Sequence, residues 1–343
     1  MQPIHLIILS KFTHPIQKSG GVGVLVKDIL DTSSNFQALS IHSSDVDGVL
    51  ALQSRFEHYP NSSALRKFFF WSYISIKFIR FLQVNKHKYR SFTSCNIVTS
   101  IILSVFVPNQ LSIWENIDYL KQRRALNVLR LRFALKRNSK LIVSSLDEFN
   151  KLESLFPKFR ENIFYKQNWT PDLTNQKAQH RITCVGFLEE RKGFDLLIKH
   201  MPIDHELPVH IFGNGSQREA LNDLITRGNK NVILEGFTSQ GYLEIEKSAG
   251  FILPSRFEGA PLVLLHAIKA GIPVAVSEEV SDCEIFEIKL GSYFQKLTIS
   301  DPKILKYQLI SFFKLVNTNN KKLESTWDDK SKCIKQFLDL YHF

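Results

Sequence analysis

The chain has 343 residues, 44% hydrophobic and 22% charged, a globular rather than a disordered balance with room for two domains. Its formal net charge of +11 sits wholly in residues 1–172, which hold 23 Lys and Arg against 12 Asp and Glu, while residues 173–343 hold 21 of each. Four scattered cysteines (Cys95, Cys184, Cys283, Cys333) without a CxxC pair argue against a disulfide framework or a structural zinc site, and no apolar run reaches the roughly 20 residues of a membrane span.

The first apolar run, IHLIILS (4–10), is short and lacks a basic leader and a small-residue cleavage site. It reads as a buried first strand. SGGVG (19–23) reads as a glycine turn and VLVKDILDT (24–32) as a helix. NFQALSIHSS, NIVTSIILSVFVP (96–108) and SKLIVSS (139–145) read as further strands. Between them, residues 64–90 are aromatic and basic at helical spacing, with Arg66, Tyr73, Lys77 and Arg80 on one stripe. Such a stripe suits an interfacial helix, with cations for headgroups and aromatics for the acyl boundary, and equally a core helix with a solvated basic edge. YLKQRRALNVLRLRFALKRN (119–138) is a second basic helix.

The polar stretch PDLTNQKAQH (171–180) is the best linker candidate, dividing the chain into domains 1–170 and 171–343, with the option that the last helix packs back on the first. The second half alternates cleanly. Strands are expected at 181–187, 208–215, 231–237, 250–255 and 272–277, and helices at 194–201, 216–228 (Ser216 as cap, Gly228 as stop), 242–249 and 261–271. Short loops between alternating elements imply βαβ units and parallel sheets, and apolar strands suit sheets covered on both faces. The fold expected is α/β, two doubly wound Rossmann-like domains.

In such sheets ligands bind beyond the carboxyl ends of the strands. Three loops there carry suitable groups: Arg191 and Lys192 before Gly193, the glycines Gly213 and Gly215, and the loop PSRFEGAPL with Glu258 and Gly259 at a helix start. Helix N-termini present unpaired N–H groups and a partial positive charge, which favour phosphate.

Taken in order, VGFLEERKGFDLLI, IFGNGSQREAL, VILEGF and SAGFILPSRFEGAPLVLLHAIKAGIPVAVS resemble the C-terminal domain of retaining glycosyltransferases of family 4 with the GT-B fold (glycosyl transferases group 1) over residues 181–290. YKQNWTPD (165–172) resembles the family's inter-domain asparagine segment, and the first half matches more loosely. The resemblance implies two domains facing across a cleft and a retaining sugar transferase (EC 2.4) acting on a nucleotide diphosphate sugar. Glu258 is the implied catalytic residue, in contact with the donor sugar or the reacting centre. Lys192 and Arg191 would neutralise the diphosphate, with the backbone amides of Gly259, Ala260 and Leu262, while Gly213 and Gly215 allow close approach and Gly20 and Gly21 close over the diphosphate from the first domain. Two positions depart. The arginine that commonly follows the glycine of VG is Phe187, with Arg191 nearby to replace its charge, and the second glutamate of E-x7-E is His266, at the position that holds the ribose.

The implied acceptor is a saccharide or lipid-linked saccharide in bacterial surface polysaccharide (O-antigen, capsule or lipopolysaccharide) biosynthesis. The enzyme would be cytoplasmic or peripheral on the anionic inner face of the plasma membrane, with neither metal nor other cofactor needed. The competing readings are an inactive nucleotide-sugar-binding protein and, less favoured, a nucleic-acid-binding protein, for which no motif is found. SGGVG does not fit the GxGxxG of a nicotinamide dehydrogenase.

Overall fold

The computed structural model describes residues 4–9, 20–41, 49–52, 64–95, 97–115, 124–174, 176–202, 206–228, 230–318, 323 and 329–341. The chain divides into two compact units, Met1–Gln167 with Cys333–Phe343, and Asn168–Lys332.

The first unit contains strands β1 (Ile4–Leu9), β2 (Phe36–Ser40), β3 (Leu50–Ala51), β4 (Tyr89–Ser94), β5 (Leu111–Glu115), β6 (Lys140–Val143) and β7 (Ile163–Tyr165). Its helices are α1 (Gly20–Thr32), α2 (Ala64–Asn85), α3 (Ile97–Phe106), α4 (Arg124–Leu135) and α5 (Leu146–Leu155). The strands form one parallel sheet in the order β3-β2-β1-β4-β5-β6-β7.

The second unit runs β8 (Ile182–Val185), α6 (Phe194–His200), β9 (Val209–Phe212), α7 (Arg218–Gly228), β10 (Val232–Gly236), α8 (Gly241–Glu246) and β11 (Gly250–Leu253). It continues with α9 (Leu262–Lys269), β12 (Val274–Ser277), α10 (Cys283–Leu290), β13 (Phe294–Leu297) and α11 (Pro302–Thr318). Its parallel sheet has the order β10-β9-β8-β11-β12-β13, which repeats the winding of the first. In each sheet the order reverses once, between β1 and β4 and between β8 and β11, and these are the topological switch points where ligands bind.

The strands are buried because helices cover both faces: β11 (GFIL) and β12 (VAVS) have no exposed residue. From Cys333, within α12 (Lys330–Leu338), the chain belongs to the first unit, where Phe337 packs on Trp114 with centroids 4.4 Å apart and the Tyr341 hydroxyl lies 2.6 Å from Thr93 Oγ1.

Three expectations are corrected. NIVTSIILSVFVP is not a strand: it supplies α3, which buries Thr99, Ser100, Leu103 and Ser104. Its apolar, β-branched composition imitates a strand, but Ser100 and Ser104 donate to the carbonyls of Ile97 and Ile101 (2.8 and 2.7 Å), so the inward hydroxyls are satisfied by the helix itself. The strands on either side, β4 and β5, are short and polar enough to escape a pattern search. Gly20, Gly21 and Gly23, read as a turn, form the first turn of α1. α7 starts at Arg218, two residues beyond Ser216.

α2 is built as a core helix: Ile74, Phe78 and Leu82, four residues apart, are fully buried. Arg80 is exposed, whereas Lys77 turns back to the carbonyl of Leu52 at 3.1 Å; the side chain of Arg66 lies outside the described part. Among the described residues no helix is long and apolar enough to cross a membrane.

Candidate active site

Arg191 and Lys192 follow β8 in a short 3-10 turn, and Glu258 follows β11, its neighbour across the switch point. Sixty-six positions separate Lys192 from Glu258 in sequence, yet their side chains are bonded in the buried interior. Arg191 Nη1 lies 2.7 Å from the same carboxylate oxygen, Oε1, and Ser255 donates its hydroxyl to it at 3.3 Å. One carboxylate thus faces two cations. Burial pushes the Glu258 carboxyl up, but Lys192 and Arg191 outweigh it and hold it below the usual carboxylate range. It is ionised at neutral pH, and the cluster keeps one surplus positive charge.

Backbone geometry holds these two loops together. Gly193 ends the 3-10 turn in the left-handed conformation (φ 67°), and a Cβ there would overlap the carbonyl oxygen of Pro254. Only glycine lets the β8 loop lie this close to the β11 loop. The amide of Arg256 donates to the carbonyl of Arg191 at 2.8 Å, and the Arg256 guanidinium grips both oxygens of Asp195 at 2.8 and 2.9 Å. The Arg191 guanidinium lies 5.5 Å from the centre of the Phe257 ring. Gly213, after β9, leaves no room for a Cβ against the carbonyl oxygen of Gly186, so the loops after β8 and β9 also touch through backbone.

Gly259 and Ala260 lead into α9, whose cap position is Pro261. The first amides of a helix lack intrahelical acceptors, and α9 begins with Leu262 directly after this loop. Asn168 donates from Nδ2 to the carbonyl of Ala260 at 3.2 Å, so the first residue of the unit braces the same loop.

His266 is fully buried on α9. Its Nε2 lies 3.1 Å from Glu246 Oε1 on α8, and the Tyr242 ring is 4.7 Å away. The other oxygen of Glu246 accepts from the amide and the hydroxyl of Thr174, both at 2.8 Å. Burial holds the imidazole below its ordinary value, with Glu246 pulling the other way, so the ring is neutral at pH 7. Nε2–H then donates to the carboxylate and leaves Nδ1 as an acceptor, which has no partner among the described residues. His266 therefore couples α9 to α8 and to the segment entering the unit, from beneath the surface.

The structure brings together Glu258, Arg191 and Lys192, places Gly259, Ala260 and Leu262 next to them in sequence and Gly213 in backbone contact with the β8 loop, and puts Gly215 against Leu188 of that loop. Gly20 and Gly21 belong to the first unit. Phe187 is exposed and carries no charge, and Arg191 supplies the cation at the carboxylate. Sequence reasoning missed Ser255, the role of Asn168, the Arg256–Asp195 fork and Glu246 as the partner of His266. Each is a contact across loops, and spacing along one strand-loop-helix unit does not expose it. Among the described residues no group of three or more His, Cys, Asp or Glu could hold a metal ion.

Comparison with known proteins points the same way. The family described as "Glycosyl transferases group 1" matches residues 166–289, the part that carries this site. The O-antigen biosynthesis glycosyltransferase WclY of Escherichia coli is 28% identical over 163 residues, 43% of this chain and 46% of that protein. The poly(ribitol-phosphate) alpha-N-acetylglucosaminyltransferase of Staphylococcus aureus (strain COL) is 26% identical over 46% of this chain and 34% of its own length. The chain spans about half, or less, of the length of these curated relatives.

Two solved structures cover nearly the whole chain at 14% identity. They are Anabaena HepE in complex with UDP and glucose (TM-score 0.70, 98% of this chain and 99% of that one) and WaaG, a glycosyltransferase involved in lipopolysaccharide biosynthesis (TM-score 0.67, 99% and 100%). The fold is the α/β GT-B fold of two doubly wound units, and the resemblance to group 1 glycosyltransferases holds.

Proposed function

We propose that this chain, whose residues 166–289 match the group 1 glycosyltransferases, moves a sugar from a nucleotide diphosphate sugar to a saccharide or lipid-linked saccharide in the assembly of a bacterial surface polysaccharide, with retention of anomeric configuration. The observation that carries the reading is the buried Glu258 on Lys192 and Arg191 at the switch point of the second sheet. The surface-polysaccharide setting is supported by what WclY and WaaG are described as doing, and the donor class by the UDP bound to HepE.

When the bond between sugar and diphosphate breaks, negative charge collects on the leaving oxygen. Groups fixed in place before the reaction stabilise that charge best. Lys192 and Arg191 are held by Glu258 and by the Gly193 turn, so they need no rearrangement to meet it, and the first amides of α9 add N–H donors from the same loop. In this reading Glu258 has two tasks. It pins the cations, and its own charge faces the donor sugar or the reacting centre. His266, buried and fixed in tautomer by Glu246, sets the position of α9 beneath the ribose site.

No metal is expected to be needed, because the surplus positive charge of the cluster and the first amides of α9 are already in place for the diphosphate; release in EDTA is expected to equal release in magnesium. The membrane surface proposed as a partner brings a lipid-linked acceptor within reach of the cytoplasmic enzyme.

A second reading, a nucleotide-sugar-binding protein without turnover, draws on the full engagement of the Glu258 carboxylate by its two cations. Nucleotide release measured across UDP-, GDP- and ADP-sugars decides between them. Release from one donor that is lost in Glu258→Ala supports transfer, binding without release supports the second reading, and release untouched by Glu258→Ala removes Glu258 from the chemistry.

A further inference from the structure

The amino edge of the first sheet, where its strands begin, holds a cavity of about 180 Å³. β1, β4, β5 and β6 line it from their first two residues, with His5, Arg90, Ser112 and Lys140. Leu340 and Tyr341, on the segment that returns to this unit at Cys333, complete the wall. Among the described residues that line it none is an acid, while Arg90, Lys140 and His5 are basic. A concave wall with charge of one sign concentrates the opposite ion. The wall is fixed by its own contacts. Tyr341 is buried, its hydroxyl bonded to Thr93 and Ser112, and its ring meets the His5 ring at 5.2 Å. His5 stacks on Phe36 at 4.9 Å, and its Nδ1 lies 2.6 Å from Ser91 Oγ, another lining group. Lys140 Nζ donates to the carbonyl of Leu340 at 3.1 Å, a neutral acceptor that leaves the ammonium its charge. Burial draws that ammonium below its ordinary value, and a neighbouring anion would act in the opposite sense.

We propose that this cavity binds a small soluble anion that carries a phosphate group, held between Arg90 and Lys140. A guanidinium fork takes two oxygens of a tetrahedral dianion and an ammonium takes a third. With His5 donating from Nδ1 to Ser91 Oγ, the Ser91 hydroxyl proton is left to donate to the ligand. A carboxylate brings one charge and two oxygens to two cations, so it matches the wall less well. The cavity is smaller than the roughly 300–1,000 Å³ of pockets that enclose a drug-sized ligand, so it suits free phosphate or the ester of a small molecule and not a whole nucleotide sugar. Because Lys140 holds the Leu340 carbonyl and both line the cavity, the bound anion also fastens the returning segment to the start of β6. The site shares no residue with the Glu258 cluster and does not depend on the transferase reading.

The test titrates inorganic phosphate into the full chain by calorimetry and follows amide hydrogen exchange across residues 334–341. Phosphate is expected to bind and to slow exchange at Leu340 and Tyr341. Arg90→Glu and Lys140→Met should each weaken that effect at least about tenfold, the value of one hydrogen bond to a charged group. Arg90 is exposed, so its replacement is expected to keep the wild-type melting temperature and cannot lose binding through unfolding. Lys192→Met removes a cation of the second unit and should leave the phosphate-dependent protection intact. Acetate should act at least about tenfold more weakly than phosphate. Glycerol 3-phosphate separates the two sources: tighter binding than phosphate identifies an ester, equal or weaker binding the free ion, and either supports the proposal. No protection of 334–341 by phosphate overturns it, as does protection undiminished in Arg90→Glu. Protection lost in Lys192→Met would place the anion in the second unit, and acetate as effective as phosphate would remove the phosphate class; both also overturn it.

Discussion

Arg181, Arg191, Lys192 and Arg256 in the second unit each meet a carboxylate, whereas Arg80, Arg132, Lys136 and Arg137 in the first stand exposed. The two sheets share one strand order, the first with one strand more, so topology does not explain the contrast. It lies in where each unit directs its cations. At its switch point the second unit sets Lys192 and Arg191 on Glu258 with one positive charge left over, while Arg80 on α2 and Arg132 on α4 point outward from helices that carry no acid. One winding thus serves two electrostatic purposes, which is why function has to be argued from the groups at a sheet's edge and not from the sheet.

The contrast breaks most directly at Glu258. Glu258→Gln leaves the buried Lys192 and the partly buried Arg191 without their anion, and nucleotide release is expected to fall by about 10²–10³-fold, the usual cost of one preorganised electrostatic group. Donor affinity by calorimetry should hold or rise, because the cations facing the diphosphate are no longer opposed. The same carboxyl has a folded pKa below its unfolded value of about 4.3. Its stabilisation is therefore present above that value and disappears as pH falls through the lower folded one. A melting curve taken against pH should decline below about pH 4 in the wild type and less steeply in Glu258→Gln. Lys192→Met comes next. Arg191 still neutralises Glu258, so the loss is expected at about 2 kcal/mol, below the 3–5 kcal/mol of a wholly orphaned buried charge. Donor KM should rise about tenfold, since one of two diphosphate cations is gone.

The second unit was the more legible because its elements are short, apolar and separated by glycine. Runs such as GFIL and PVAV can only be strands there, and Gly193 and Gly213 mark the places where backbone meets backbone. In the first unit IVTSIILSVF has the composition of a strand and the packing of a helix, and the polar β4 (YRSFTS) has the composition of a loop. Propensity decided those readings and tertiary burial overruled it. At the site, the residue types Glu258, Lys192 and Arg191 were readable from their loops. That Glu258 touches both cations, and that Glu246 stands behind His266, depends on the pairing of β8 with β11 and the packing of α8 on α9. No spacing within one segment encodes that.

His266 sharpens the comparison, since it extends the inward balance of the second unit to a neutral base. Its folded pKa lies below the unfolded value of about 6.5. Stability from keeping it neutral is complete above that value and is lost as pH falls from there toward the folded one, because the unfolded chain takes up the proton first. His266→Gln, which can still donate to Glu246, should cost about 1–2 kcal/mol at pH 7.5. It should also flatten the decline in melting temperature between about pH 6.5 and 5. An unchanged slope would assign that decline to another histidine, with His200, also held low by burial, the first to test.

The smallest effect is expected at Arg256, and it asks what keeps the two site loops in register. Arg256 bridges them twice, through its guanidinium to Asp195 and through its amide to the carbonyl of Arg191. Arg256→Lys keeps the charge and the amide bond but loses the two-pronged grip, and in a partly exposed pair that is worth about 0.5–1 kcal/mol. The melting temperature should therefore move by only a few degrees, while kcat falls a few-fold with KM nearly constant, the signature of a positioning loss and not of a binding one. A fall as large as that of Glu258→Gln would mean that the fork, more than the β8–β11 pairing, sets the distance from Lys192 to Glu258. No fall at all would leave that distance to the Gly193 turn, whose contact with Pro254 is made of backbone and does not depend on any side chain.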